Sequence, residues 1–538
     1  PKTGQVDDLP PHHPGWQWLV PLLAGIAFVL VCFAASPHQL LWHDERYTLL
    51  LVGQGDFAQM MRGIHEGIDG SPPVYLVLLR CWATVAGVSP FALRLFSALA
   101  MSAAFAATWL LARRMAGFPA ASVGCAAVFF GNALVFRLNV ECRHYALVIA
   151  LLAFLLLQFE RISRPGRVSR GALALYALTT GVLVLTHLFG FVFSGLLAVA
   201  MVTADRLRGD FRPARYAVAI AGWLAFLPWL PHFLNQAKIG QPWFWISMPS
   251  ASVLTRTSSY AYGISSLILP SFLAISLVYP LLRRAAIGPG ARSAKLLSTS
   301  AIPVAVAAAF LIAGVPVATW LISVVAQPVW VDRYQFPALV GWSIALPLLL
   351  RAFGVFQWDH IAGKSAVLRI WRHVETVACI LFLAGALLHF GLRIKKIPSE
   401  PVPHQMAPLS LPLAVRDSHI FTYLRTYEPQ IDVWYVLDWE AALRSPVKGL
   451  VAGHNIMAAV KKTYPETKVI GSDEFLARFK NFYIIEQQDS NWLQDPSRAE
   501  ASYQVHPADR SLMLPHSRRF TATRLSRVEP ATAPAGQP

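Results

Sequence analysis

Apolar residues in this chain come in long runs, separated by short polar stretches that carry arginine. The runs at residues 18–35, 92–115, 120–136, 145–159, 172–186, 188–203, 216–233, 265–282, 297–325, 336–350 and 374–392 read as membrane-crossing helices. Several fall short of the ~20 residues of a full crossing, and together they make about eleven spans. Residues 56–66 pattern as a short amphipathic helix. Residues 72–88 are apolar too, but contain Arg80 and begin with two prolines, which suit the first turn of a helix. We read that segment as a helix lying flat at the membrane surface rather than crossing.

Charge supports this layout. The loops with Arg113/Arg114, Arg161/Arg164/Arg167/Arg170, Arg206/Arg208/Arg212/Arg215, Arg283/Arg284/Arg292/Lys295 and Arg351/Lys364/Arg369/Arg372 all fall on one side, and the alternate loops are poorer in Lys and Arg. The positive-inside rule makes the Arg-rich side cytoplasmic, with the N-terminus on that side. A crossing at 72–88 would move every later loop to the other side and break the bias. The expected setting is an inner (cell) membrane, with the alternate loops in a periplasm-like space.

The pattern changes after residue 396. A proline-punctuated linker, 397–412, leads into 413–528, whose composition is that of a soluble domain. LAVRDSHIFTYL and then IDVWYVLD read as strand, helix, strand, and FKNFYIIEQ as a further strand. Residues 529–538 are rich in Pro, Ala and Gly and read as a disordered tail. The predicted fold class is an all-α polytopic membrane domain, residues 1–396, with a small C-terminal α/β soluble domain expected on the periplasmic side.

Composition agrees. Of 538 residues, 55% are hydrophobic and 14% charged, against the roughly 25% charged of a soluble protein. The net charge of +17 would raise the question of nucleic acid, but its residues sit in short loops between spans. Membrane topology and anionic headgroups account for it, so no nucleic-acid partner is expected. The five cysteines lie mostly in apolar runs with no CxxC pair and read as small hydrophobes. The first run is preceded by Lys2 against Asp7 and Asp8, a poor signal-peptide start, and is expected to stay as an uncleaved span.

The uncommon polar residues converge on one side. Asp44, Glu45 and Asp69 lie in the first outer loop, where carboxylates beside a bilayer suggest function. Arg94 begins the second span. Arg137, Glu141, Arg143 and His144 occupy the next outer turn, His187 a very short one, Lys238 and Arg256 a long one, and Asp332, Arg333 and Tyr334 precede the tenth span. Each has a plainer reading. An arginine at a span end also anchors by snorkelling, a lone histidine is often a satisfied interfacial one, and Asp44 and Glu45, being neighbours on a helix, cannot both face one site. Outer carboxylates with outer arginines suit transfer from a lipid-linked phosphosugar. Cations hold the phosphate, and a carboxylate takes the proton of the attacking hydroxyl.

These residues resemble a GT-C-type glycosyltransferase of the bacterial branch related to protein O-mannosyltransferases and the lipid A aminoarabinose transferase. The resemblance rests on His43-Asp44-Glu45-Arg46-Tyr47, on Asp69-Gly70-Ser71-Pro72-Pro73-Val74-Tyr75 and on Phe91-Ala92-Leu93-Arg94-Leu95-Phe96-Ser97-Ala98. Shorter matches follow at Arg143-His144-Tyr145, Thr186-His187-Leu188, Leu227-Pro228-Trp229 and Arg333-Tyr334-Gln335. It implies Asp44 as catalytic base, with Glu45 beside it and Asp69 shaping the acceptor or donor site. Arg143, His187, Arg333 and Tyr334 would contact the donor phosphate. Arg46, Tyr47, Arg94 and Lys238 would brace the loop or touch substrate. The implied activity is inverting transfer of a sugar from a polyprenyl-phosphate donor to an envelope acceptor (lipid, polysaccharide or protein), with membrane lipid as solvent. No cofactor is expected. A divalent metal is the lesser alternative, with His43, Asp44, Glu45, His65 and Asp69 as the set that could hold it. Two other readings compete: a transporter or flippase for a lipid-linked or anionic solute, and a non-catalytic assembly protein. Charges at span ends and no visible repeat favour the enzyme over the transporter.

Overall fold

The computed structural model describes residues 15–164, 168–240, 246–254, 301–352, 366–397, 408–445, 448–485, 503–505, 510–514 and 518–527. They fall into two compact units that alternate along the chain. The first takes residues 1–37, 91–227 and 248–397, and the second takes 38–90, 228–247 and 398–538.

The first unit is helical, and the chain is a multi-pass membrane protein. Among the described residues seven helices are long and apolar enough to cross a membrane, or nine if two broken pairs each count as one span. The sequence pattern predicts more, and the differences have local causes. The run at 120–136 is not one helix: Phe118–Gly131 and Ala133–Asn139 meet at 72°. Asn132 between them is extended, and its side-chain oxygen accepts the Leu134 N–H at 2.7 Å, which starts a new helix. The run at 216–233 also breaks. Its first helix tightens into a 3-10 turn at Leu224–Phe226, before Pro228. The run at 172–186 is the 15-residue helix Arg170–Val184, about 22 Å long and short for a crossing. The run at 265–282 lies outside the described residues.

Aromatic and small residues pack this unit. Phe28 meets Phe105, Phe129, Phe130 and Phe390 at ring-centre distances of 5.1–6.5 Å. A Cβ on Gly124 would lie 2.6 Å from the Pro347 ring, so hydrogen at that position lets the Phe118–Gly131 and Pro337–Ala352 helices close. On Leu19–Ala35 the outward face stays apolar, with Leu22, Ile26, Leu30 and Phe33 each 45–61% exposed. Such a stripe suits lipid.

Arginine-rich loops meet at one end of the helices. Glu160 pairs with Arg164 at 2.6 Å and Arg114 at 3.6 Å. Arg208 donates to the Ser163 carbonyl at 2.8 Å, and Arg215 to that of Arg164 at 3.0 Å. The loops after residues 112, 160 and 205 thus share one end, as the charge pattern requires. The Tyr145–Ile162 helix, 18 residues or about 27 Å, separates that end from Arg143 and His144 at its other end.

The second unit joins the first-loop helices His43–Gly53, Phe57–Glu66 and Val74–Ala86, and Leu230–Gly240, to an α/β layer. Asp56 caps the second of these by accepting from Gln59 N, and Gly67 closes it in the left-handed region at φ 90°. At 13 residues, about 20 Å, the Val74–Ala86 helix is too short to cross, in keeping with the non-crossing reading. Arg80 on it donates to the carbonyls of Val52 and Gly55, satisfying groups at and just beyond the end of the His43 helix.

Among the described residues the layer has seven strands: β1 (Leu413–Val415), β2 (Val433–Leu437), β3 (Val469–Gly471), β4 (Asn481–Ile485), β5 (Tyr503–Val505), β6 (Arg510–Leu514) and β7 (Arg518–Arg527). Their order is β3-β2-β1-β4-β7-β5, with β6 also on β7. The first four are parallel, and the pairings of β7 are antiparallel. Helices Ser418–Tyr427 and Lys448–Thr463 connect the parallel strands, as the apolar β1 and β2 runs anticipate.

Candidate active site

In the second unit the His43 helix presents the acidic pair. Trp42 enters it extended, and the Glu45 carboxylate folds back to accept the Trp42 N–H at 3.0 Å. Glu45 is fully buried. Its carboxylate closes the first helical turn, the N3 half of a capping box. Arg46 is buried and donates three ways: to Leu41 O at 2.8 Å, Thr422 Oγ1 at 3.1 Å and His419 O at 3.2 Å. Tyr47 is buried beside Ser418, with its hydroxyl 3.0 Å from His43 Nε2. Burial holds that phenol far above its ordinary pKa, so it stays protonated. The His43 and His419 rings stack with centres 3.3 Å apart. Asp44 differs from its neighbours: its side chain keeps 26% exposure, and its carboxylate lies 3.8 Å from His43 Nδ1. The paired acids therefore divide, one inward to the backbone and one outward.

Asp69 is buried and accepts the Ser71 N–H at 2.8 Å, an Asx turn that sets the entry to Val74–Ala86. Lys238 is exposed near the end of Leu230–Gly240. Among the described residues no three His, Cys, Asp or Glu side chains are placed to share a metal ion. The set proposed for a divalent metal is not gathered into such a group, and Glu45 and Asp69 each accept a backbone amide.

In the first unit, four sequence-predicted residues do come together. The His187 and Tyr334 rings lie 5.4 Å apart. The Arg333 guanidinium carbon stands 5.8 Å from the Tyr334 ring centre and 5.7 Å from that of Tyr145. The His144 ring is 4.7 Å from His187. Burial, then the neighbouring His187, Arg143 and Arg333, depress the His144 pKa well below the ordinary value, so this imidazole is neutral at pH 7. Arg143, His144 and Tyr145 open the Tyr145–Ile162 helix, whose N-terminal dipole adds to the field of the two guanidiniums. The arrangement is an aromatic-walled cationic cluster at a span end. Arg94 is fully buried in Pro90–Ala116.

The sequence reading left His144 and Tyr145 out of the phosphate set, although Arg143-His144-Tyr145 is contiguous. It also missed Ser418, His419 and Thr422, which hold the His43 helix from more than 370 residues away. No local signal marks those contacts.

No protein-family model matches the sequence, and no curated protein matches it significantly. Among solved structures, ArnT from Cupriavidus metallidurans bound to undecaprenyl phosphate aligns with a TM-score of 0.58 and 14% identity, over 95% of this chain and 98% of that one. The apo state of ArnT aligns at 0.57 and 15%, with the same coverage. The chain has the GT-C fold. A looser alignment, TM-score 0.45 and 11% identity over 88% of this chain and 69% of that one, is to AglB from Archaeoglobus fulgidus in complex with an inhibitory peptide and a dolichol-phosphate. Within this GT-C fold, the acidic helix belongs to the second unit and the cationic cluster to the first.

Proposed function

We propose that the protein is a membrane glycosyltransferase that moves a sugar from a polyprenyl-phosphate donor to an envelope acceptor on the outer face of the inner membrane. The observation that carries this reading is the gathering of Arg143, His187, Arg333 and Tyr334 from three separate stretches of chain. Two guanidiniums with neutral His144 beside them suit a phosphodiester, and the tyrosine rings suit the first apolar carbons of its lipid. ArnT, of the same fold, is known bound to undecaprenyl phosphate, which supports a polyprenyl donor.

In the reaction, the Asp44 carboxylate takes the proton of an acceptor hydroxyl as that oxygen attacks the anomeric carbon. The bond from that carbon to the phosphate oxygen breaks on the opposite face, so configuration inverts. The electron pair goes to the departing polyprenyl phosphate, whose added charge Arg143 and Arg333 stabilise. His43 and Tyr47 fix the helix that carries the base, and Glu45 and Arg46 hold its start. Asp69 acts through the turn it builds.

Mass spectrometry of envelope glycans tests the reading in cells with the wild-type protein, with Asp44→Asn, and without the protein. The expected result is one glycan modification lost in both altered strains, with the variant still in the membrane and still binding undecaprenyl phosphate. Unaltered glycans, with changed movement of a lipid-linked solute, would replace this reading by the transporter.

A further inference from the structure

A cavity of about 260 Å³ lies within the second unit, between the His43–Gly53, Ser418–Tyr427 and Lys448–Thr463 helices. Its apolar wall includes Leu50, Phe421, Met457 and Val460. Arg46 and Arg425 also line it, and no carboxylate does. The two arginines differ in commitment. Arg46 spends its donors on Leu41, Thr422 and His419. Arg425 is half-buried, and among the described residues its hydrogen-bond partner is Gln54 Oε1, at 3.3 Å. A guanidinium has five donors, so most of those on Arg425 remain for an incoming acceptor. Burial disfavours its charge and the Glu466 carboxylate offsets part of that; no carboxylate lines the cavity itself, and an anion there would offset the rest.

The cavity is separate from the candidate base. Lining positions 46, 49, 50, 53 and 54 recur at helical spacing along one face of the His43 helix. Asp44, two residues before Arg46, lies about 200° round the helix from it.

We propose that this cavity binds a single-chain anionic amphiphile. Its phosphate or carboxylate would sit on Arg425, and its alkyl segment on Leu50, Phe421, Met457 and Val460. The occupant presses on the back of the helix that carries Asp44, which makes the cavity a lipid-responsive site apart from sugar transfer.

Binding of dodecyl phosphate and dodecanoate to the full-length protein, in nanodiscs of phosphatidylcholine, tests this by native mass spectrometry and titration. Dodecanol and inorganic phosphate serve as the neutral and the tail-less probes. One dodecanoate per chain is expected, weakened about tenfold by Arg425→Gln, the value of one charge-assisted hydrogen bond. Met457→Trp, which fills the cavity, should abolish it. Arg333→Ala should leave it unchanged, which separates this site from the donor cluster. Undiminished binding by Arg425→Gln would overturn the proposal. So would dodecanol or inorganic phosphate binding as tightly as dodecyl phosphate, or Arg333→Ala removing the dodecanoate site.

Discussion

Acidification should unlatch the α/β layer through His454. This side chain is fully buried. Its Nε2 accepts the Asp438 N–H at 3.2 Å, and its Nδ1 faces the Leu450 carbonyl at 3.0 Å and the Tyr435 hydroxyl at 2.9 Å. An imidazole that accepts at Nε2 is neutral, with its proton on Nδ1. Protonation would set a second N–H against that of Asp438. Burial accordingly pushes the pKa down to about 4, from an ordinary 6.5. Below pH 6.5 the unfolded chain takes up this proton while the folded one refuses it. The stability linked to His454 is thus complete above pH 6.5 and lost as pH falls towards 4. The gap between 6.5 and about 4 is worth about 3 kcal/mol. About 2 kcal/mol of it has gone by pH 5. Pulse proteolysis of the full-length protein in urea, at pH 7.5, 6 and 5, reads this as earlier cleavage within residues 433–460. His454→Gln keeps an acceptor and a donor but cannot titrate, so its midpoint should fall less steeply with acid by about that amount. Equal slopes in the two proteins, or greater wild-type stability at pH 5 than at 7.5, would refute the reasoning.

Three further outcomes can be measured. Arg333→Ala should weaken undecaprenyl phosphate binding by roughly 10- to 100-fold, the worth of a charge-assisted phosphate contact, with Arg333→Lys in between and Asp44→Asn unchanged. Titration of the lipid against all three checks it, and equal affinities would remove Arg333 from the phosphate site. Arg46→Ala deletes three hydrogen bonds from a buried guanidinium and should destabilise the second unit by about 3 kcal/mol, read as the urea midpoint for cleavage within residues 43–53. Gly124→Ala puts a methyl group 2.6 Å from the Pro347 ring, which cannot rotate aside. The expected cost is about 1–3 kcal/mol and a lower melting temperature in detergent, and an unchanged one would show that the two helices can separate without penalty.

The spans are legible because a lipid-facing helix must be apolar over most of its length, and Leu22, Ile26, Leu30 and Phe33 announce that directly. The breaks are less so. A hydropathy run averages over one residue, and it was one residue, Asn132, that ended a helix by capping the next. In the first unit, the cationic cluster could be read from arginine and histidine at span ends, since few such residues survive beside lipid without a task. Its aromatic wall was harder to see, because Tyr145 looks like the start of an apolar run. Nothing local distinguishes Glu45 from Asp44. Their separation depends on which carboxylate reaches the Trp42 amide, and that is a property of the bend at Trp42.

That separation also bears on how the C-terminal segment serves the proposed chemistry. Asp44 is useful as a base only while its helix is fixed, and local contacts are only part of what fixes it. Arg46 reaches Thr422 and the His419 carbonyl, Leu41 N donates to the Tyr427 hydroxyl at 2.6 Å, and His43 stacks on His419. All of these partners lie on Ser418–Tyr427. That helix packs Phe421 against Tyr435 of β2, whose hydroxyl meets His454. A continuous path of contacts therefore runs from a pH-sensitive imidazole to the helix of the candidate base. If the path transmits, wild-type turnover should fall with acid below pH 6 more steeply than that of His454→Gln, while undecaprenyl phosphate affinity, which the proposed function assigns to the other unit, stays level. Parallel pH profiles for the two proteins would show that the His43 helix keeps its place without the sheet.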